Sequence, residues 1–493
     1  MSSLNRIIAT TLLTVCLGHS SSAQTFTTLF TFDQTDGSSP SSALVQGRDG
    51  NLYGTTVDGG STSEYCFGGS CGTVFKITPN GVFTTLYSFC SRPQCSDGYA
   101  PWGGLTLGTD GNFYGTTGYG GIATHSSCPG GNGCGTVFRI TPDGLFSTIY
   151  SFGAQSNLAD GDYPIATLLL ASDGDLYGTT WFGGDPSSNC CGTIFKINRS
   201  GNGAFSTIYT FSSSAINGAA PNSLIEGTDG NFYATTYLGG TGEYGTVFRF
   251  SPGGKLRTLY DFCTRSSCSN GEGPSEAPLV QTTEGTIFGT TLFGGSNGDG
   301  TIFRLVSGGG LRFVSLSNSD GIYPASVIQA TDGQLYGAAN YGGTGSCMSG
   351  CGTIFDVVPQ TGEINALYSF NAAEPFAVGG LLQHTTGVFY GTTSGGSNDR
   401  LPGYGTVFSF DTGLGPFVAF VQRAGRVNQT AEILGQAFTG TSRVSFNGVA
   451  ANFSVVSDTY LTATVPQGAT TGYIAVTTPT GTLTSNVPFY VIP

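Results

Sequence analysis

Short apolar runs alternate with polar turns from residue 25 to the end of the chain, at the two-residue period of half-buried strands. The clearest run reads Thr109-Asp110-Gly111-Asn112-Phe113-Tyr114-Gly115-Thr116-Thr117, followed by Gly120-Gly121 and then Gly135-Thr136-Val137-Phe138-Arg139-Ile140. Its final block, Gly-Thr-[Val/Ile]-Phe, recurs from Gly72, Gly135, Gly192, Gly245, Gly300, Gly352 and Gly405, at spacings of 63, 57, 53, 55, 52 and 53 residues. A period of that size, varying only where loops fall, predicts stacked structural repeats. In the second repeat, strands are expected over 105–107, 112–117, 136–140 and 146–152. Tight turns such as Asp110-Gly111 and Pro142-Asp143-Gly144 join the first strand to the second and the third to the fourth. Each repeat is therefore a four-stranded meander.

Seven such meanders predict an all-β chain with a seven-bladed β-propeller over residues 24–413. A β-helix is disfavoured, because its rungs are much shorter than this period. Residues 25–32, TFTTLFTF, look like the fourth strands FTTLYSF and FSTIYTF of later repeats, while the seventh repeat stops at Phe410 without one. The N-terminal strand is thus expected to complete the last repeat and hide an open edge. Alternating strand direction puts both tight turns of each repeat on one face and the longer connections on the other.

Cysteine usage changes the picture of the compartment. Twelve cysteines follow Cys16, in six close pairs: Cys66 with Cys71, Cys90 with Cys95, Cys128 with Cys134, Cys190 with Cys191, Cys263 with Cys268, and Cys347 with Cys351. Local disulfides in an oxidising compartment are expected, all on the longer-loop face. A metal reading would need ligands converging from separate repeats, and none is assigned. Residues 1–23 carry Arg6, an apolar stretch from Ile7 to Gly18 and Ser21-Ser22-Ala23, the pattern of a secretory signal peptide. No later apolar run approaches the ~20 residues of a membrane-spanning helix. With 17 basic against 30 acidic residues and no basic run, nucleic acid is not an expected partner. A secreted or extracytoplasmic monomer is expected.

After Gly413 the repeat gives way to Gly435-Gln436-Ala437-Phe438, Val444-Ser445-Phe446-Asn447-Gly448 and Thr464-Val465-Pro466. Residues 414–493 therefore predict a small β-sandwich and, through these signposts, resemble the IPT/TIG family of immunoglobulin-like domains. That resemblance implies a spacer or interaction module. The Asp-Gly-x-x-Tyr-Gly-Thr-Thr, Gly-Gly and Gly-Thr-[Val/Ile]-Phe blocks of residues 24–413 resemble the Gloeo_Verruco (GloVer) tandem repeat of bacterial extracytoplasmic proteins. That resemblance implies export and offers no agreed activity.

Candidate chemistry is sparse. Asp36, Asp97, Asp160, Asn217, Asn270 and Asp320, each before a glycine, either ring the channel mouth as Ca²⁺ ligands or cap their own turns; no cofactor is assigned. Trp102, Tyr119, Trp181, Phe182, Tyr237, Phe293 and Tyr341 are expected to approach the longer-loop face, either as rings that stack on sugars or as packing between repeats. His125 is the one candidate base for a polysaccharide lyase, against the ordinary reading of a solvated loop histidine. No carboxylate pair, nucleophile elbow, phosphate loop or zinc motif stands out. The leading expectation is non-catalytic recognition of an extracellular glycan or a surface protein. A His125-centred polysaccharide-degrading enzyme and an envelope scaffold are the alternatives.

Overall fold

The computed structural model describes residues 24–492 except 123–127, 129–132, 186–189, 200–202, 213, 215, 307–309, 348, 374–375, 377–378 and 396–402. The proposed leader and His125 lie outside the described residues. The chain is all-β and propeller-like. Among the described residues, seven antiparallel sheets follow one another between residues 25 and 411, each a meander of the kind the repeat predicts. In the second sheet the strands are Thr106–Leu107, Phe113–Thr117, Thr136–Ile140 and Phe146–Ser151. The last sheet is completed by the N-terminal strand Thr25–Thr31, antiparallel to Thr406–Asp411.

The repeated residues owe their identity to one local geometry. Register places Gly115 opposite Phe138 and Thr117 opposite Thr136. A Cβ on Gly115 would sit 2.5 Å from the Phe138 ring, so the glycine makes room for a fully buried aromatic. The Thr117 hydroxyl meets that of Thr136 at 2.8 Å, accepts the Thr136 N–H at 3.1 Å and reaches the Tyr119 carbonyl at 3.0 Å. In the sixth sheet Ala339 takes the first threonine's place, and Thr353 instead donates to the Asp320 carbonyl at 2.6 Å. Thr117→Val strands the buried Thr136 N–H and is expected to cost roughly 1–3 kcal/mol, read as a lower urea midpoint; no change would show that water reaches this amide. At the hairpin, Asp110 accepts from the Tyr114 hydroxyl at 2.7 Å and from Asn112, which fixes the Asp-Gly-Asn-Phe-Tyr spacing.

Recurring contacts tie neighbouring sheets together. A Cβ on Gly135, whose φ is +97°, would meet Pro164 Cδ of the third sheet at 2.7 Å, and one on Gly405 would meet Pro40 of the first at 2.6 Å. Gln383 donates to Thr331 in the sixth sheet, and Gln46 to Thr385 in the seventh, so the last sheet is bonded to the first. Outer strands stack aromatic on aromatic, as in Tyr87 on Phe146 at 4.1 Å and Phe30 on Phe83 at 3.9 Å.

Residues beyond 413 form two four-stranded sheets and a two-stranded parallel pair around a core that includes Ile433, Phe438, Phe446, Val476 and Phe489. This module sits on the tight-turn face. Arg48 bridges to Glu432 at 2.7 Å, Thr459 donates to the Arg48 carbonyl, Gln436 to Thr385, and Gln422 to the Ala171 carbonyl. Leu434 and Tyr460 join the same apolar cluster as Tyr53 and Phe113. The plain face is thus covered. No helix among the described residues is long and apolar enough to cross a membrane.

Candidate functional site

With one end of the ring covered, the open end is the longer-loop face. The innermost strands leave a central channel with a cavity of about 490 Å³, within the usual range of ligand pockets. Small residues of successive repeats wall it, among them Ser42, Gly103, Thr167, Ser223 and Ser326.

Its mouth is set by a backbone position that recurs two residues after each turn glycine. Ser39, Ala100, Tyr163, Ala220, Gly273 and Tyr323 all have φ between 54° and 59°, left-handed backbone that is costly for a bulky side chain. The preceding repeat holds them there: Tyr163 N–H donates to the Cys134 carbonyl, Ala100 to Cys71, Gly273 to Tyr244 and Tyr323 to Asp299. Disulfides Cys66–Cys71 and Cys128–Cys134 brace two of the loops that supply these carbonyls. The remaining four, Cys90–Cys95, Cys190–Cys191, Cys263–Cys268 and Cys347–Cys351, close loops on the same face.

Aromatic side chains gather at this mouth. Tyr119 stacks near Tyr99 at 5.2 Å and Tyr163 at 4.9 Å; Tyr163 meets Trp181 at 6.2 Å and Phe182 at 5.9 Å; Trp181 lies parallel to Tyr237 at 5.4 Å. A second run joins Phe293 to Tyr323 at 4.9 Å, Tyr323 to Tyr341 at 5.6 Å and Tyr341 to Phe376 at 4.8 Å. Between the runs lies Gly273, where a Cβ would be 3.5 Å from Tyr237 and 3.6 Å from Phe293. Trp102, Phe182 and Phe293 are the most exposed of these rings, at 37%, 36% and 36%. Trp102 lines both the channel and a side cleft of about 240 Å³ shared with Tyr99 and Tyr119.

All seven sequence-picked aromatics therefore fall along this rim. Sequence reasoning missed Tyr163 and Tyr323, although an aromatic wedged between an Asp-Gly turn and a proline, as in Asp160-Gly161-Asp162-Tyr163-Pro164, was a signal. It also missed Glu276, the single charged side chain on the channel lining among the described residues.

The turn acids lie elsewhere. Asp97 accepts from the Tyr87 hydroxyl at 2.6 Å and the Ser91 N–H at 3.0 Å; Asp160 accepts from Tyr150 and Ala154; Asn270 donates to Tyr260. Asp320 binds Ser317, Asn217 binds Tyr209, and Asp36 accepts from the Asp33 N–H. Their partners sit on outer strands and in inter-sheet loops, so a ring of carboxylates around the channel does not form among the described residues. Close by, Asp162 is buried behind the rim. Burial, with the Asp160 carboxylate adding to it and the Tyr163 amide opposing, raises its pKa to about 7. His384 is buried on the covered face and lies far from this mouth in the fold.

The model of the Gloeobacter/Verrucomicrobia repeat matches residues 19–127, 123–274 and 264–442. No curated protein matches the chain. Among solved structures, virginiamycin B lyase from Staphylococcus aureus is similar at 13% identity and a TM-score of 0.50, over 78% of this chain and 99% of its own. A fungal alcohol oxidase in complex with copper gives 12% and 0.48, over 95% and 99%. PorZ, a surface component of the type-IX secretion system of Porphyromonas gingivalis, gives 13% and 0.44, over 90% and 58%. At such identities the likeness concerns the propeller-like fold alone.

Proposed function

The chain belongs to the Gloeobacter/Verrucomicrobia repeat family, and from that premise we propose that it is an exported, non-catalytic recognition protein that binds extracellular glycan at the open mouth of its ring. In this reading the seven sheets are the blades of a closed seven-bladed propeller, residues 24–413, and residues 414–493 are an IPT/TIG-like sandwich that caps the opposite end. Six disulfides suit export into an oxidising compartment.

One observation carries the proposal: rings from successive repeats line a single mouth, several on backbone held in a costly conformation by the neighbouring repeat. Packing alone does not need exposed rings such as Trp102 and Phe182 at a cavity entrance, whereas sugar faces stack on them.

The test is a glycan array and soluble-polysaccharide screen with the mature chain beside Trp102→Ala and Trp181→Ala. Binding is expected to weaken about tenfold or more in each variant, at one to three kcal/mol per stacked ring, with no new reducing ends or unsaturated products. Product formation in any polysaccharide would overturn the non-catalytic reading, and undiminished binding in both variants would move the site off the rim.

A further inference from the structure

In the first three repeats the segment between the inter-sheet proline and the core leucine has three residues: Ser41-Ser42-Ala43, Trp102-Gly103-Gly104 and Ile165-Ala166-Thr167. The fifth repeat has four, Ser275-Glu276-Ala277-Pro278, and interrupts its innermost strand there, between Glu272–Pro274 and Val280–Gln281. Glu276 lies in this longer segment, two residues after the proline, where Ser42, Gly103, Ser223 and Ser326 line the channel in other repeats, and it puts a carboxylate on the channel wall. The backbone on either side is anchored, since Ser223 donates to the Glu276 carbonyl and Ser275 donates to the Ala325 carbonyl.

Two facts about Glu276 point outward from the protein. Solvent reaches its side chain from within the channel, although protein surrounds it closely enough to push its carboxyl pKa upward by desolvation. Among the described residues no cation or hydrogen-bond donor compensates that charge, and no other residue of the channel lining is charged. A carboxylate that faces the channel without a protein partner is open to a ligand of opposite charge. The rings above it, Trp102 and the Tyr163 cluster, offer π-faces to the same kind of ligand. The chain's net charge of −13 draws cations in and repels anions.

We propose that the channel seats an ammonium-bearing sugar, a hexosamine unit of a cationic glycan, with Glu276 as its counter-ion and the rim aromatics stacking on the flanking sugar rings. This rests on the glycan-binding reading and names its substrate class. N-acetylation would remove the positive charge and add bulk at the point where Glu276 acts. A neutral hexose would keep the stacking and lose the ion pair.

The experiment is titration calorimetry of the mature chain and of Glu276→Gln with three β-linked oligomers: glucosamine, N-acetylglucosamine and glucose. The wild type is expected to bind the glucosamine oligomer about tenfold more tightly than either other, as a charge-assisted contact of ~1.5 kcal/mol would give. Glu276→Gln is expected to erase that preference and leave the neutral oligomers unchanged, with an unaltered melting profile as the folding control. Equal affinity for charged and neutral oligomers in the wild type, or a preference that survives Glu276→Gln, overturns the proposal. So does Ca²⁺ binding that depends on Glu276 and is not displaced by the glucosamine oligomer. Failure of the broader glycan reading looks different, because then none of the three oligomers binds either protein.

Discussion

Phe138→Ala is expected to destabilise the ring by about 3–5 kcal/mol, the range for deleting a buried aromatic from a core that cannot close around the gap. Phe138 has no exposed surface. It makes a T-shaped contact with Phe89 of the preceding sheet at 5.3 Å, stacks at 5.4 Å on Phe146 of its own, and covers the bare backbone of Gly115. Those neighbours are held by strand register on two sheets, so relaxation is limited and both the transfer and the cavity terms apply. Phe138→Leu, which keeps most of the volume, should lose less than half as much. The measurement is the urea midpoint of each variant at constant m-value. A loss below about 1 kcal/mol for Phe138→Ala would mean that the repeat's defining aromatic is dispensable to its packing, and the account of the Gly-Thr-[Val/Ile]-Phe block given above would fall.

That block is also why so much of the architecture was legible. Gly115, Phe138, Thr117 and Thr136 satisfy constraints within one repeat, so their identities recur at the repeat's own period. The N-terminal strand could be matched to its distant partner because Phe26 and Phe30 do for the last sheet what Phe83 and Tyr87 do for the first. Neighbouring cysteines likewise pair within one loop. The features that sequence left hidden depend on groups from different repeats or on a single departure from the pattern. The recurrence of the acids before each glycine fitted either a channel ring or a turn role, and their bonds to outer-strand tyrosines such as Tyr87 and Tyr150, from another stretch of the chain, could not be read from it. Glu276 takes the lining place that Ser42, Gly103, Ser223 and Ser326 hold in other repeats, a single change of residue type that no periodic reading weighs. The docking of the C-terminal module on the tight-turn face joins Arg48, the Ala171 carbonyl and Thr385 to Glu432, Gln422 and Gln436, partners outside the repeat, so the repeat's own period carries no sign of it.

The covered face and the open mouth should also respond to acid in opposite senses, and two buried groups set the prediction. His384 Nε2–H donates to the Gly50 carbonyl at 3.1 Å, and Nδ1 accepts from the Thr386 hydroxyl at 3.0 Å and the Thr386 amide at 3.3 Å. Both nitrogens are thereby committed to the neutral ring, and burial, opposed by the bond to Gly50, lowers its pKa from 6.5 to about 4. The unfolded chain takes up this proton first. Stability from His384 is therefore complete above pH ~6.5 and falls by about 3 kcal/mol as pH drops to ~4. Asp162 works the other way: its pKa is raised from 3.8 to about 7, so the folded chain holds a proton that the unfolded chain has released. Its burial costs roughly 4 kcal/mol above pH ~7, and that cost disappears on the way down to pH ~4. Because the windows overlap, the two slopes largely cancel in the wild type, and substitutions separate them. Asp162→Asn is expected to raise the melting temperature near pH 8 and to have little effect near pH 4. His384→Asn is expected to lower it near pH 7, with the deficit shrinking by about 3 kcal/mol toward pH 4. Differences from wild type that stay constant between pH 4 and pH 8 would show that neither group changes its proton affinity on folding, and would place His384 and Asp162 in contact with water rather than in the packed joints described above.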